Sequence, residues 1–394
     1  MANDFDKQAA DLGARIAEMS DDELPTANII VAGITGTGKS TLLNAVFGQD
    51  FARTGTGRPV TSSMNDYETP DIPIHIWDTV GLELDSAKTK ETIANIRKTI
   101  ADKSSSQDQF DRIHAIWYCI NAGSNRYQGA ELDFISDLHS IGVPFIIVLT
   151  QCIRGEEDDV FRDEIININK TRNMSDIEVV EVCAKPYKMR NFVIEDFGLE
   201  DLVHKTLEKL PDFIKSGFIA AQKVDVVQKR MLSEDIIVAS AKQAQMNIWD
   251  SVAIVRLFST NKEIKQMLKK IGRIYNLVLS ENDVEQVART CDVTLEKLFE
   301  GLVNPFYKGY RDKVNAYLEE LKNQDGFNGG DINLRNNDKA ARMILYFGYV
   351  YVEALESLWS DFTEEQLFSL NDKISILCNR INQRLNDILK RKRS

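Results

Sequence analysis

No apolar stretch in this chain is long enough to cross a bilayer. The most apolar segment, Met343 to Val352, has ten residues and includes Gly348. A spanning helix needs about 20, so this segment predicts a buried helix. Cysteine is scarce: Cys119, Cys152, Cys183, Cys291 and Cys378 are scattered, and their odd number suits neither a disulfide framework nor metal-ligand spacing. Four histidines lie apart from them. The first residues, Met-Ala-Asn-Asp-Phe-Asp-Lys, carry no signal-peptide pattern. These absences predict a protein of a reducing cytoplasm whose cysteines serve as small hydrophobes. Positive charge is also short. The 394 residues carry a formal net charge of −12, with −14 in residues 1–210 and +2 in residues 211–394. The first half is a poor surface for nucleic acid, and no DNA partner is expected. Only Lys390-Arg391-Lys392-Arg393 is strongly basic, which suits the end of a helix complementing its dipole.

What is present is ordinary for a globular protein: 43% apolar and 27% charged residues. The length suggests more than one domain. Residues 4–20 read as an amphipathic helix, with Phe5, Ala9, Leu12, Ile16 and Met19 at steps of three and four. Asp21, Asp22 and Pro25 end it. From there to about 210, short apolar runs alternate with helical patterns. Strands are expected at 28–33, 63–69, 72–78, 111–120, 144–150 and 177–183, and helices at 39–47, 86–102, 129–141, 157–172 and 198–209. Strands buried on both faces and alternating with helices predict an α/β fold with a mostly parallel sheet and helices on both faces. Beyond Pro211 the strand signal disappears. Helical patterns run over 213–230, 233–258, 261–279, 283–300, 303–323, 338–360 and 363–393, broken by a polar, glycine-containing stretch at 323–337. The expected domains are therefore an N-terminal helix (1–24), an α/β domain (25–210) and an all-α domain (211–394).

One stretch carries chemistry. Gly33-Ile-Thr35-Gly36-Thr37-Gly38-Lys39-Ser40 fits G-x-x-x-x-G-K-[ST], after an apolar run and before a helical one. By residue frequency alone the pattern arises in a chain this long about once in a hundred times. A glycine-rich turn lets backbone N–H groups converge on an anion, and the helix adds its positive end. Lys39 supplies an ammonium for the outer phosphates and Ser40 a hydroxyl for Mg²⁺. Downstream, Thr61 lies in Gly55-Thr-Gly-Arg-Pro-Val-Thr61, where a loop Thr can meet Mg²⁺ and a γ-phosphate. Asp78-Thr-Val-Gly81 then ends a strand, with Asp78 able to hold a metal-bound water and Gly81 able to bring a backbone N–H to the γ-phosphate.

In these motifs the chain resembles the translation-factor-like GTPases, especially their Era/TrmE/septin-like branch with its ribosome-associated members, over roughly residues 27–210. The resemblance implies a P-loop G domain that binds GTP with Mg²⁺ and hydrolyses it to GDP and phosphate, with ribosome or RNA contact as a family trait. It implies Lys39 at the β/γ-phosphates, Thr41 near the α-phosphate, and Ser40, Thr61 and Asp78 around the metal. Lys39, Thr61 and Gly81 would carry the catalysis. The sequence departs from this pattern in three places. Leu82 stands where many Ras-like GTPases place the Gln that orients water, which implies slow intrinsic hydrolysis or a group supplied from elsewhere. Gly36 stands where potassium-activated relatives carry Asn, so potassium activation is not expected. At the base-reading motif [NT]-[KQ]-x-D, Thr150 and Gln151 fit but Ile153 replaces the Asp. Guanine is then read by other groups, with Asp158 and Asp159 as distant candidates, or selectivity is weakened. Val182-Cys183-Ala184-Lys185 resembles the loop whose Ala N–H meets guanine O6 and whose Lys covers the base.

Trp117 and Tyr118 are read as core residues and Arg126 as a surface residue. The segment 337–356 faintly resembles the helical, sometimes membrane-associated domain that follows some bacterial G domains. The helical half is read as an effector or assembly domain coupled to nucleotide state. Three alternatives stay open: a nucleotide-dependent interaction switch that hydrolyses too slowly for turnover to matter, a preference for ATP, and a nucleotide-gated membrane-remodelling or scaffold protein working through the helical half. Expected partners are another protein or a second copy, with peripheral membrane contact as a further option.

Overall fold

The computed structural model describes residues 24–48, 58–61, 64–69, 72–79, 87–127, 129–153, 155–189, 192–246, 262–290, 308–321, 339–361 and 372–390. The expected helix at 4–20 lies outside them, as does the 323–337 stretch. The chain divides into two compact units. One is Pro25–Asp225 and the other consists mainly of Val226–Ser394.

The first unit is built on seven strands: β1 (Ala27–Gly33), β2 (Arg58–Thr61), β3 (Met64–Thr69), β4 (Ile72–Thr79), β5 (Ala115–Asn121), β6 (Phe145–Thr150) and β7 (Glu178–Val182). They lie in the order β2-β3-β4-β1-β5-β6-β7. β4, β1, β5, β6 and β7 run parallel, and β2 and β3 pair antiparallel at one edge. A short hairpin, β8 (Tyr187–Met189) with β9 (Phe192–Ile194), follows the last strand. The sequence pattern misses β2 and this hairpin, since each strand is only three or four residues long. The helices are α1 (Lys39–Phe47), α2 (Ala87–Ser104), α3 (Ala130–His139), α4 (Glu156–Thr171), α5 (Leu199–Lys209) and α6 (Asp212–Ala221). The expected mostly parallel sheet with helices on both faces is what is found.

Alternation along the strands splits the core into two layers. Ile30, Tyr118, Ile120 and Ile147 pack with Ile96 and Ile100 of α2, Ile135 and Leu138 of α3, and Phe161 and Ile165 of α4. Trp117 faces the other way. It stacks on Phe47 of α1 at 5.9 Å and meets Phe218 of α6 edge-on at 6.3 Å. Its indole N–H donates to Thr206 Oγ1 of α5 at 3.1 Å, so the polar tip is satisfied inside the core. Trp117 and Tyr118 are thus core residues, and Arg126 is exposed. The strand expected from 111 begins only at Ala115. The side-chain amide of Asn28 donates to the Phe110 and Arg112 carbonyls and holds the preceding segment in an irregular path.

The division between units falls after Asp225 rather than near 210. α6 packs on β1 and β4. Its Gly217 sits so close that an added Cβ would lie 1.7 Å from the Pro25 carbonyl oxygen. The helix expected over 213–230 breaks at 222–225, where no Pro or Gly signals a stop. Gln222 closes the break: its amide donates to the carbonyls of Ile219 and Asp225, and its Oε1 accepts from the Asp225 N–H. The Lys223 N–H donates to the Val46 carbonyl at the end of α1. Tertiary partners make this break.

The second unit is helical: α7 (Val226–Met246), α8 (Lys262–Ile274), α9 (Lys308–Leu321), α10 (Lys339–Asp361) and α11 (Lys373–Lys390), with residues 281–290 also helical. α10 lies against α7, α8 and α11, and every residue from 343 to 352 is buried. A Cβ at Gly348 would come within 2.6 Å of Ile237 on α7, so the two helices approach closely there. Buried tyrosines donate to carboxylates, Tyr349 to Glu234 and Tyr317 to Glu353, while Arg384 pairs with Glu353 and Arg230 with Glu356. Among the described residues no helix is long and apolar enough to cross a membrane.

Candidate functional site

The carboxyl ends of the parallel strands gather the motif residues, the usual ligand edge of an open α/β sheet. The β1–α1 connection needs its glycines. Gly33 has φ 147° and a Cβ there would lie 2.4 Å from the Cys119 carbonyl oxygen of β5. Gly36 and Gly38 have φ 84° and 87°, the left-handed region that glycine enters without strain. Gly38 is the N-cap of α1, and no side chain caps that helix end. The first-turn N–H groups are therefore left to an anion or to water. Thr35 and Gly36 form the exposed tip, and Ser40 and Thr41 are exposed on the first turn. Thr37 is turned inward, its hydroxyl donating to the Ile34 carbonyl at 2.8 Å. The Lys39 ammonium folds back on the same loop, donating to the carbonyls of Gly33 at 2.9 Å and Ile34 at 3.3 Å. It fills the cradle with positive charge.

Beside it, Asp78 of β4 stands in register with Val31 of β1. Asp78 is buried, and its Oδ1 has no hydrogen-bond partner among the described residues; neither has the Thr79 hydroxyl. Burial pushes the Asp78 carboxyl up to about 6, against the opposing pull of the Lys39 charge. A buried carboxylate oxygen without a partner is costly unless something binds it. Oxygen donors from Asp78 and the exposed Ser40 hydroxyl are the set that Mg²⁺ takes. Two cysteines at this end of the sheet are poor nucleophiles: burial pushes the Cys119 and Cys152 thiols up to about 12.

Thr61 differs from its expected place on a loop. It ends strand β2, in register with Met64 of β3, which is in register with Thr79 of β4. It therefore shares the cradle's end of the sheet but stands two strands out from β4, roughly 10 Å away at about 4.8 Å per strand. Gly81 and Leu82 lie outside the described residues.

The β6 end turns toward the phosphate loop. The Thr150 hydroxyl meets the carbonyls of Thr37 and Ile120. Gln151, at φ 60°, donates from Nε2 to the Gly36 carbonyl at 3.1 Å. Ile153 is 43% exposed. Of the two acidic candidates, Asp158 is buried, its Oδ2 accepting from the N–H of Ile153 at 2.7 Å and of Gly155 at 3.4 Å. Asp159 pairs with Arg162 at 2.9 Å. Neither presents a free carboxylate to a base. Asp158 supplies only the acidic half of a capping box, reaching back to the Gly155 N–H, since Gly155 has no side chain for the other half. Ala184 and Lys185 follow β7, where Cys183 and Phe197 exchange backbone hydrogen bonds and the Cys152 N–H donates to the Val182 carbonyl. These bonds hold the 150–153 and 183–185 segments side by side, with Lys185 exposed.

Residues 28–151 match the family model described as 50S ribosome-binding GTPase. That segment is a P-loop GTPase G domain. No curated protein matches the chain. Among solved structures, a point variant of Aquifex aeolicus Era bound to GDP.AlF4⁻ is 14% identical, with 56% of this chain and 68% of that one covered and a TM-score of 0.32. The G domain of the T. maritima FeoB iron transporter is 16% identical over 47% of this chain and 98% of that one, with a TM-score of 0.31. A bacterial selenocysteine-specific elongation factor, EF-Sec, is 19% identical at a TM-score of 0.32; the match covers 48% of this chain and 30% of the factor's length.

Proposed function

We propose that this G domain binds GTP with Mg²⁺ and hydrolyses it slowly to GDP and phosphate, as a switch coupled to the helical unit. The observation that carries the reading is the pairing of an uncapped helix start, lined by Lys39, with the partnerless buried Oδ1 of Asp78. In this reading the first N–H groups of α1 and the loop N–H groups hold the β- and γ-phosphates. Lys39 exchanges its two loop carbonyls for phosphate oxygens and balances the charge that develops as water attacks in line. Thr41 lies at the α-phosphate. Ser40 and Asp78 would hold Mg²⁺, which when bound neutralises charge on the outer phosphates; Thr61, at the same sheet end but two strands out, would join them only by moving toward the cradle. Gly81 offers an N–H to the γ-phosphate. Ala184 and Lys185 lie along the base. Thr150 and Gln151 keep the cradle in shape, so positioning supplies most of the catalysis. The reading places the chain in the cytoplasm, signalling to a protein partner or a second copy.

Phosphate release from GTP under steady state, with and without Mg²⁺, tests this. Expected is slow, Mg²⁺-dependent turnover that falls at least tenfold in Lys39→Ala. Turnover unchanged by that substitution refutes the reading.

A further inference from the structure

The loop after β6 lies against the phosphate cradle, since Thr150 meets the Thr37 carbonyl and Gln151 the Gly36 carbonyl. A base joined to a phosphate chain in that cradle has this loop for a neighbour. Guanine differs from hypoxanthine only in its 2-amino group. Recognising that group takes a hydrogen-bond acceptor, best a carboxylate that also accepts from the ring N–H. The side chains that follow Thr150 on this loop are turned to other partners. Asp158 turns its carboxylate into the loop, on the N–H groups of Ile153 and Gly155. Asp159 is held by Arg162. The Gln151 side chain is drawn toward the cradle, and the Cys152 thiol donates back to the Leu149 carbonyl. What the loop offers is Ile153, an aliphatic side chain 43% exposed. It can cover the face of a ring but cannot accept a hydrogen bond.

We propose that Ile153 makes this a phosphate-led site that does not read the 2-amino group, so that guanosine and inosine triphosphates are equivalent ligands. The proposal rests on the nucleotide reading above and deepens it. The loop has been given over to bracing the cradle: its left-handed Gln151 and its inward Asp158 hold shape, and affinity comes from phosphates, metal and stacking. Binding energy spent on phosphates is common to every nucleoside triphosphate. Selection between these two nucleotides would then fall to cellular abundance.

Titration calorimetry of the full chain with the non-hydrolysable β,γ-imido analogues of GTP and ITP, in Mg²⁺, tests this without any variant. Expected are dissociation constants within threefold of each other. GTP analogue binding tenfold or more tighter than ITP analogue overturns the proposal and leaves the nucleotide reading intact. No binding of either analogue overturns both. Ile153→Asp adds the converse arm at an exposed position that the core does not depend on. It should raise the preference for the GTP analogue at least tenfold, the scale on which a site built to hydrogen-bond a group rejects the analogue lacking it. An unchanged ratio in a variant with parental melting behaviour also overturns the proposal.

Discussion

Replacing Thr150 by Val asks whether the end of β6 holds the phosphate cradle in its binding shape. The hydroxyl is buried, with the residue 3% exposed, and meets the carbonyl oxygens of Thr37 and Ile120. Valine keeps the shape and removes the donor. A net hydrogen bond is worth about 0.5–1.5 kcal/mol, and leaving the buried Thr37 carbonyl unpaired adds about 1–3 kcal/mol more. The loss should come to about 2 kcal/mol, lowering the melting temperature of a unit this size by roughly 4–8 °C. If nucleotide binds only to the braced loop, most of that energy reappears as lost affinity, up to about 30-fold. Calorimetric titration with MgGDP and a thermal melt on the same sample read both quantities. Thr150→Ser retains the hydroxyl and should bind as the parent does. A Thr150→Val protein that melts lower yet binds MgGDP within twofold of the parent would show that the hydroxyl supports the fold alone and that the cradle is preorganised without it.

Two further substitutions test the architecture. Gly217→Ala places a Cβ 1.7 Å from the Pro25 carbonyl oxygen, backbone that cannot easily give way; it should cost at least 3 kcal/mol in urea unfolding by forcing α6 off the sheet, and a cost under 1 kcal/mol would mean that α6 docks loosely. In the helical unit, burial and then the charge of Glu234 push the Asp235 carboxyl up to about 7, with Lys242 opposing, and its Oδ2 has no partner among the described residues. An unfolded Asp titrates near 3.9. The penalty on its charged form is therefore absent below about pH 4, grows between 4 and 7 and is complete above 7, so stability falls as pH rises through that window. Asp235→Asn should flatten this slope and stabilise the unit at pH 8 by about 2–4 kcal/mol; unfolding followed by far-UV ellipticity at pH 5 and pH 8 measures it, and equal stabilisation at both values would contradict the assignment.

The parts of this molecule that are legible in sequence are those whose cause is local. The cradle of Gly33–Ser40 announces itself because three left-handed or crowded backbone positions can only be glycine, and because Lys39 must follow directly. β1, β5 and β6 are legible because burial on both faces requires an unbroken apolar run. The short strands β2, β8 and β9 aside, the misses share one property, a partner far away in the chain. The break at 222–225 depends on Val46, and α6 belongs to the first unit because Gly217 lets it reach Pro25. The late start of β5 depends on Asn28. No window of sequence contains both members of any of these pairs.

The same distinction bears on the site. In sequence, Thr150 and Gln151 read as residues facing a base, yet their side chains meet the Thr37 and Gly36 carbonyls, more than a hundred residues earlier. Asp158 is a distant acidic candidate in sequence and a loop cap in space. The phosphate end is legible because backbone geometry dictates residue type there. The base end is not, because one side chain can serve either the ligand or the loop that would hold it, and only the three-dimensional partners decide. In this chain those partners favour the loop. A side chain already committed to bracing gains nothing by reading the base unless it first gives up a hydrogen bond worth about 1 kcal/mol. On the proposal above, a cradle braced this way leaves the 2-amino group unread while phosphate contacts carry the affinity.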